Sequence, residues 1–294
     1  MARWQVFVNG AAGKRAMDPA EVRDLLQELN VDAVVNAPAS PSEAYKLIQD
    51  AARGGAQQFA VAGGDGTVNL AVNALLELDL GFRPVLGVLP VGTACDLLRT
   101  FGMPQDLAGA AHHLTTDDTY DIDVATLEGE WGLRYFVNVA QAGVGAAAVQ
   151  TAVRFGRRLG AACYPLAFAA RLPRFPRANV TVTTERRTIE SEALAVILAN
   201  GQFFAGGWNV APRATLVDGV LDVQVINARK RQAPALVPKV VKGTHLKDRS
   251  VRRFTASEFT IETEPTWPVE GDGDLVGNTT VNGRVVPAAI SLKI

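Results

Sequence analysis

The residues best suited to chemistry lie in a glycine-rich stretch, residues 63–67, which has the sequence GGDGT. An apolar strand-like run precedes the stretch, and an apolar helix-like run follows it. Glycines let the backbone approach a ligand, and the first amides of a helix attract anions such as phosphate. Asp65 would repel a bare phosphate, so its presence indicates a divalent cation between the two. A plain tight turn is the weaker alternative, because five specified residues separate the strand from the helix.

A second corner of this kind lies in residues 89–102, which have the sequence LPVGTACDLLRTFG. It also follows a strand-like run, and Gly92 and Thr93 are predicted to open its helix. In open α/β sheets, ligands bind at the carboxyl ends of the strands. Two helix starts on neighbouring strands would contact a polyphosphate from two sides, which predicts a nucleotide site.

The elements that must position these corners alternate between strand and helix through the first 120 residues. The helix at 40–53 has Ser40 as its cap and Pro41 in its first turn. Such alternation is typical of βαβ units around a parallel sheet. The other predicted elements are strands at 4–9, 31–36, 57–63 and 84–90 and a helix at 19–29.

The pattern changes after residue 120, where short β-rich runs dominate and helices are predicted only at 146–156 and 232–243. We therefore expect a parallel-sheet α/β nucleotide-binding domain at 1–120 and a β-sandwich-like domain at 121–294. The active site would occupy the cleft between the two domains. The last strand is a candidate to pack back near the first domain.

The composition of the chain is typical of a globular protein without a disulfide framework or a membrane span. The chain has 294 residues, a hydrophobic fraction of 48% and a net charge of −1, as expected for a globular protein with a sizeable core. Its two cysteines give no disulfide framework, and no apolar run approaches the ~20 residues of a membrane span. These features predict a cytoplasmic protein, with a peripheral visit to the inner face of the membrane left open.

The two corners, GGDGT and LPxGTxxDxxR, resemble the catalytic domain of the diacylglycerol kinase superfamily, and in particular the bacterial diacylglycerol-kinase-like lipid kinases. The resemblance implies a transferase that uses ATP and Mg²⁺ to phosphorylate a lipid such as diacylglycerol, with a role in phospholipid biosynthesis. It also makes the second domain lipid-binding. Further segments match the family in chain order, at 8–14, 136–149, 157–164, 199–223 and 270–277.

The resemblance also implies roles for individual residues. Asp274, where the family has glutamate, would be the general base, and Asp65 a second catalytic carboxylate. A Mg²⁺ of catalytic, structural or regulatory role would be held by Asp218 and the carbonyls of Thr215 and Val220. Solvated turns are the alternatives for Asp218 and Asp274. The implied nucleotide-binding residues are Asn9, Gly13, Ser40, Gly63, Gly64, Asp65, Gly66, Thr67, Asn69, Gly92 and Thr93.

The sequence departs from the family pattern at four positions, with Gly10 for proline, Leu70 for glutamate, Cys95 for asparagine and Asp274 for glutamate. The last three keep a non-catalytic function open. One alternative is a kinase similar to NAD kinase or phosphofructokinase, since both share a GGDG corner. Another is a non-catalytic sensor that binds nucleotide or lipid. Consumption of ATP distinguishes an enzyme from a sensor, because a sensor would bind ATP without consuming it.

A basic segment at 229–253 carries nine Lys or Arg residues and one acid, Asp248. Nucleic acid is not expected as a partner, because aromatic residues for base stacking are nearly absent there. The segment instead predicts peripheral contact with an anionic membrane, with a solvated face as the alternative. A homodimer is left open. The three histidines, His112, His113 and His245, lack ligand spacing and are predicted to lie at the surface.

Overall fold

The computed structural model describes residues 3–12, 17–91, 95–155 and 163–294. The chain forms two compact units, one comprising Met1–Val124 with Pro287–Ile294 and the other comprising Ala125–Val286. Within the described ranges, no helix combines the length and apolar character that crossing a bilayer requires.

The first unit contains a parallel sheet with the strand order β2-β1-β3-β4. The end of the last strand of the chain, β18, pairs in parallel with β4, where Ser291 lies opposite Val85. The central strands are apolar on both faces, as buried parallel strands are. The strands are β1 (Trp4–Val8), β2 (Ala33–Asn36), β3 (Gln58–Gly63), β4 (Val85–Pro90) and β18 (Val281–Lys293).

The helices of this unit begin where the sequence provides caps. Asp18 accepts a hydrogen bond from Ala20 N at the start of α1, and Ser40 accepts one from Glu43 N at the start of α2. The α1 residues Val22 and Leu26 pack into a core with the inner strands. The helices are α1 (Pro19–Glu28), α2 (Pro41–Arg53), α3 (Asp65–Leu76), α4 (Asp96–Thr100) and α5 (Leu107–His112).

The second unit is built mainly from antiparallel strands. Among the described residues, one sheet has the order β14-β13-β10-β7-β16-β17, and a second set pairs β15 with β8 and with the start of β18. Strand β5 (Thr119–Gly129) begins in the first unit and ends in the second. The other strands are β6 (Gly132–Phe136), β7 (Val139–Gly143), β8 (Ala178–Thr184), β9 (Thr188–Ala193), β10 (Ala195–Ala199), β11 (Phe203–Phe204), β12 (Trp208–Asn209), β13 (Leu221–Ile226), β14 (Val251–Ala256), β15 (Glu258–Glu264), β16 (Pro268–Gly271) and β17 (Asp274–Asn278).

One buried cluster joins both sets of strands, with Val182 and Ile261 from one and Leu198 and Val223 from the other. This arrangement of two sheets over a shared core confirms the predicted β-sandwich-like architecture. The helices of the unit are α6 (Val144–Phe155), α7 (Cys163–Arg171) and α8 (Ala233–Val241).

Three details differ from the sequence-based expectations. Helix α3 begins at Asp65, inside the GGDGT stretch and not after it. After β4 the described helix begins at Asp96, and the predicted helix start at Gly92 and Thr93 lies outside the described residues. Helix α7 (Cys163–Arg171) is absent from the predicted elements, because residues 157–164 are assigned only by their resemblance to a family motif. His245 is fully buried and contacts Gln224 at 2.9 Å, so its predicted surface position is wrong.

Candidate functional site

The first glycine corner brings the ends of two neighbouring strands together. Strand β3 ends at Gly63, and Gly64 is the N-cap of α3. Asn9, just after β1, donates its side-chain Nδ2 to Thr67 Oγ1 at 2.9 Å. A Cβ on Gly63 would collide with the Thr67 side chain, so glycine is required for this approach. Asn9, Gly63 and Thr67 are thus adjacent, beside a helix N-terminus suited to an anion.

Gly66 has room for a side chain, whereas Gly63 does not. A Cβ on Gly66 would meet no atom within 4 Å, although this residue lies in the first turn of α3. No steric conflict with the protein therefore explains a glycine there. Close approach of a ligand to the backbone remains a physical reason for it.

Asp65 links the two glycine corners. Its Oδ1 accepts hydrogen bonds from Asp96 N at 2.8 Å and Leu97 N at 3.4 Å, at the start of α4. The Cys95 thiol lies 3.6 Å from the same oxygen. Burial, together with the nearby Asp65 carboxylate, raises the pKa of Cys95, so this thiol stays protonated. A carboxylate at a helix N-terminus is stabilised by the amides and the helix dipole.

This capping contact gives Asp65 a structural role that the sequence did not predict. We expected the carboxylate to face a cation, and the described contacts show it holding α4 against the start of α3. Its catalytic role stays a prediction. Gly13, Gly92 and Thr93 lie outside the described residues, so their predicted nucleotide contacts stay predictions as well.

The side chains of Ser40 and Asn69 form hydrogen bonds within or at the start of the helices to which they belong, α2 and α3. Ser40 Oγ accepts from Glu43 N at 3.2 Å, and Glu43 Oε2 accepts from Ala39 N at 2.7 Å, which forms a reciprocal cap. Asn69 is buried on α3, and its side-chain oxygen accepts from Asn73 Nδ2 at 3.1 Å. The nucleotide contacts that we predicted for both residues stay predictions.

The predicted metal loop lies in the second unit, before β13. Asp218 Oδ1 accepts a hydrogen bond from Val220 N at 3.2 Å, and Gly219 between them has a φ of +73°. Asp218 and Thr215 are exposed. Among the described residues, no group of three or more His, Cys, Asp or Glu side chains could hold a metal ion. A metal here would therefore depend on one carboxylate and backbone oxygens.

The predicted catalytic carboxylate lies on the hairpin that joins β16 and β17. Asp272 and Gly273 form its turn with positive φ values of 49° and 89°, and Asp274 lies opposite Gly271. Asp274 is exposed, and within the described residues no hydrogen bond involves its carboxylate. The protein around it still desolvates this group and raises its pKa above the ordinary value. A carboxylate of this kind is suited to proton abstraction.

Asp272, two residues earlier, has a different role. Its carboxylate accepts from the backbone amides of Val137 at 2.6 Å, Asn138 at 2.9 Å and Val139 at 3.1 Å. These contacts tie the turn of the hairpin to the start of β7. Asp272 is thus a structural anchor, and Asp274 is the carboxylate of the GDGD segment that is presented to solvent.

Sequence reasoning missed three polar residues behind this hairpin. Glu270 is fully buried and accepts from Gln141 Nε2 at 2.9 Å, and Gln141 in turn shares a hydrogen bond with Tyr164. A signal was available, because Glu270 occupies an apolar strand and Gln141 interrupts a run of small apolar residues.

Comparisons with known proteins cover both units. Residues 3–127 match the family model described as "Diacylglycerol kinase catalytic domain". Residues 138–294 match "YegS C-terminal NAD kinase beta sandwich-like domain".

Two curated relatives match along nearly the whole chain. A "Probable lipid kinase YegS-like" of Klebsiella pneumoniae (strain 342) is 27% identical, over 96% of this chain and 93% of its own. The "Diacylglycerol kinase" of Bacillus subtilis (strain 168) is 24% identical, over 94% and 91%.

A solved structure shows the same fold. A diacylglycerol kinase of Bacillus anthracis str. Sterne has a TM-score of 0.75 and 24% identity, with 99% of this chain and 96% of that chain covered. The two family models together span most of the chain in the order that the motifs predicted. The protein therefore belongs to the diacylglycerol kinase superfamily, as a bacterial diacylglycerol-kinase-like lipid kinase.

Proposed function

We propose that this protein transfers the γ-phosphate of ATP to the hydroxyl of a lipid such as diacylglycerol. Family membership supports kinase chemistry and a lipid acceptor. The observation that carries the proposal is Asp274, an exposed carboxylate with a raised pKa on a hairpin whose neighbouring acid, Asp272, is held by three backbone amides.

The nucleotide phosphates would bind at the start of α3. Gly66 has open space beside its backbone, and Gly66 and Thr67 lie in the first turn of the 12-residue helix α3, which follows Gly64 as its N-cap. Asn9 orients the Thr67 hydroxyl from the neighbouring strand end. Phosphoryl transfer depends chiefly on positioning and charge neutralisation, which such backbone amides provide.

Mg²⁺ would be held in the loop 215–220 by the carboxylate of Asp218 and the carbonyls of Thr215 and Val220. Oxygen atoms are the donors that Mg²⁺ prefers, and an exposed loop with one carboxylate suits an ion that keeps several waters. The donor set therefore fits the ion. Held by these residues, Mg²⁺ would supply positive charge, either toward phosphate oxygens or to stabilise the loop itself.

The proton chemistry would belong to Asp274. As the lipid oxygen attacks the γ-phosphorus, the bond from that phosphorus to the bridging oxygen of ADP breaks, and the lipid O–H proton passes to the Asp274 carboxylate. Because the base must be ionised before it accepts a proton, the raised pKa places its loss of activity at a higher pH than for an ordinary aspartate.

Contact with the membrane would bring this cytoplasmic enzyme to its substrate. Within the basic segment 229–253, Lys239 pairs with Asp248 at 2.7 Å, and Arg253 pairs with the buried Asp222. The remaining exposed cations have no acidic partner among the described residues, so they are available to anionic head groups. They are Arg229, Arg231, Lys242, Lys247, Arg249 and Arg252.

The experiment is incubation of the full chain with labelled ATP and Mg²⁺ and a panel of acceptors, followed by identification of the products. The panel contains diacylglycerol and other lipids with a free hydroxyl, together with NAD and sugar phosphates. A labelled lipid supports the proposal. Label in NAD or a sugar phosphate would indicate the alternative kinase class, and ATP binding without turnover would indicate a sensor.

A further inference from the structure

A buried carboxyl group lies directly behind the hairpin that presents Asp274. Glu270 is the third residue of β16, and its exposed fraction is 0%. It lies opposite Gln141 of β7 in the antiparallel register. A carboxyl without contact to solvent is costly in a protein unless its oxygens find partners, so its position calls for a physical reason.

Both oxygens of Glu270 have partners. Oε1 accepts from Gln141 Nε2 at 2.9 Å, and Oε2 accepts from the backbone amide of Gly273 at 2.8 Å. Burial, reinforced by the negative charge of Asp272, raises the pKa of Glu270 well above its usual range. Both partners donate an N–H to this side chain, so it holds the turn from behind as a hydrogen-bond acceptor.

The contacts continue from Gln141 to an aromatic group. Tyr164 on α7 hydrogen-bonds Gln141, and its ring stands edge-on to Phe204 and Trp208, with centroids 5.4 Å away in each case. A Cβ on Gly145 would overlap the Gln141 side chain, so glycine there leaves room for the amide. Gln141 is thus fixed on one side by Tyr164 and on the other by Glu270.

The turn of the hairpin is consequently held at two successive residues by two acids. Asp272 reaches back to three amides at the start of β7, and Glu270 holds the amide of Gly273, immediately before Asp274. A displacement of about 1 Å at a reacting group can lower a rate by about 10²-fold, so a second fixed point next to a catalytic base has a kinetic consequence.

We propose that Glu270 is a positioning residue for Asp274: supported by Gln141 and Tyr164, it holds the amide of Gly273 and so fixes the direction of the Asp274 carboxylate. This inference rests on the proposed role of Asp274 as the base. Glu270 does not contact substrate itself. Its effect passes through the backbone of residues 273–274, so it should appear in turnover and leave binding unchanged.

The test compares Glu270→Ala with Glu270→Gln in the full chain. Glu270→Ala removes the partner of the Gly273 amide, and we expect kcat for lipid phosphorylation to fall about 10- to 100-fold, with KM for ATP and lipid unchanged. Glu270→Gln keeps the size of the side chain and one oxygen that can accept from the Gly273 amide, and kcat should stay within about threefold of wild type. Amide hydrogen exchange of residues 271–275 should accelerate in Glu270→Ala alone.

The matched control is Asp222→Asn. Asp222 is also a buried acid of the same sheet, but its partners are Arg253 and Gln224, away from the hairpin. This variant should lower the melting temperature and leave kcat near wild type, which separates positioning from general destabilisation. Wild-type kcat in Glu270→Ala, or equal losses in Glu270→Ala and Glu270→Gln, would overturn the inference.

Failure of the proposed function and failure of the role of Glu270 give different experimental results. If wild-type protein phosphorylates no lipid, the proposed function fails, and the exchange measurement alone still decides whether Glu270 holds the turn. If wild type is active and Asp274→Asn is not, the function stands whatever Glu270→Ala does.

Discussion

The glycine corner at 63–67 and the hairpin at 270–274 both combine glycine with aspartate, yet the two regions use these residues differently. In the corner, the glycines expose the backbone amides of α3, while Asp65 is occupied with the amides of Asp96 and Leu97. In the hairpin, Asp272 takes up the backbone amides, and Asp274 is left exposed at the surface. The corner is thus arranged to receive an anion and the hairpin to offer one.

An acidic residue within a glycine-rich motif can hold the backbone in place and need not face the substrate. Asp65 and Asp272 each accept hydrogen bonds from backbone amides and fix a neighbouring segment in place. A carboxylate that accepts several amide hydrogen bonds is a stronger anchor than a neutral side chain, because such bonds are charge-assisted. In the hairpin, the neighbour of the anchor Asp272 is Asp274, the residue that we propose as the base.

The largest effect should come from the exposed acid of the hairpin. Asp274→Asn keeps the shape of the side chain and removes the base, so turnover should fall by ~10²–10⁴-fold while ATP binding is retained. Asp274→Glu should keep substantial activity. Initial rates with labelled ATP and lipid, paired with calorimetric titration of ATP, measure both quantities. A wild-type rate in Asp274→Asn would remove this residue from the mechanism.

The anchor of the same hairpin should affect stability more than any proton transfer. Asp272→Ala leaves the amides of Val137, Asn138 and Val139 without their carboxylate, and we expect the free energy of unfolding to fall by about 3 kcal/mol. Urea unfolding monitored by circular dichroism measures the change. Unchanged stability, together with a loss of turnover as large as that of Asp274→Asn, would exchange the roles of the two acids.

The glycine corner can be tested by using the contrast between Gly66 and Gly63. Gly66→Val has open space around it and should keep the fold, yet it should weaken ATP binding at least about tenfold, or ~1.4 kcal/mol, by obstructing the backbone. Gly63→Val collides with Thr67 and should lower stability as well. Titration with ATP and thermal melting distinguish the two. Wild-type ATP affinity in folded Gly66→Val would place the nucleotide elsewhere.

Local sequence patterns predicted most of the first unit because its elements carry their own signals. Ser40 with Pro41 marked the start of α2, and alternation of strands and helices predicted the parallel sheet. The GGDGT stretch likewise predicted the end of a strand and the start of a helix. Each of these signals depends on a few consecutive residues, so no knowledge of distant contacts was needed.

The features that the sequence did not predict depend on contacts between residues far apart in the chain. Asp65 bonds with residues about 30 positions later, and Asp272 bonds with residues about 135 positions earlier. Glu270 and Gln141 meet only because β16 pairs with β7. No local pattern reveals which of several acids in GDGD is buried, anchored or exposed, so the sequence could nominate Asp274 only through the family resemblance.

The smallest effect per residue is expected in the basic segment 229–253, an exposed surface without the fixed hydrogen bonds of the corner and the hairpin. Exchanging Lys242, Lys247 and Arg249 for serine should weaken binding to anionic vesicles by about 1 kcal/mol per residue, because each exposed cation near the surface contributes about that much. Co-sedimentation with phosphatidylserine-containing vesicles at low and high salt measures this. Exposed charges are screened beyond about 10 Å at 0.1 M salt, so binding of the wild type should also fall steeply as salt rises.

Lys239→Ser is the matched control, since this lysine is already paired with Asp248, which in turn has its pKa lowered to about 2. Equal binding of the wild type to neutral and anionic vesicles would show that the segment is an ordinary solvated face.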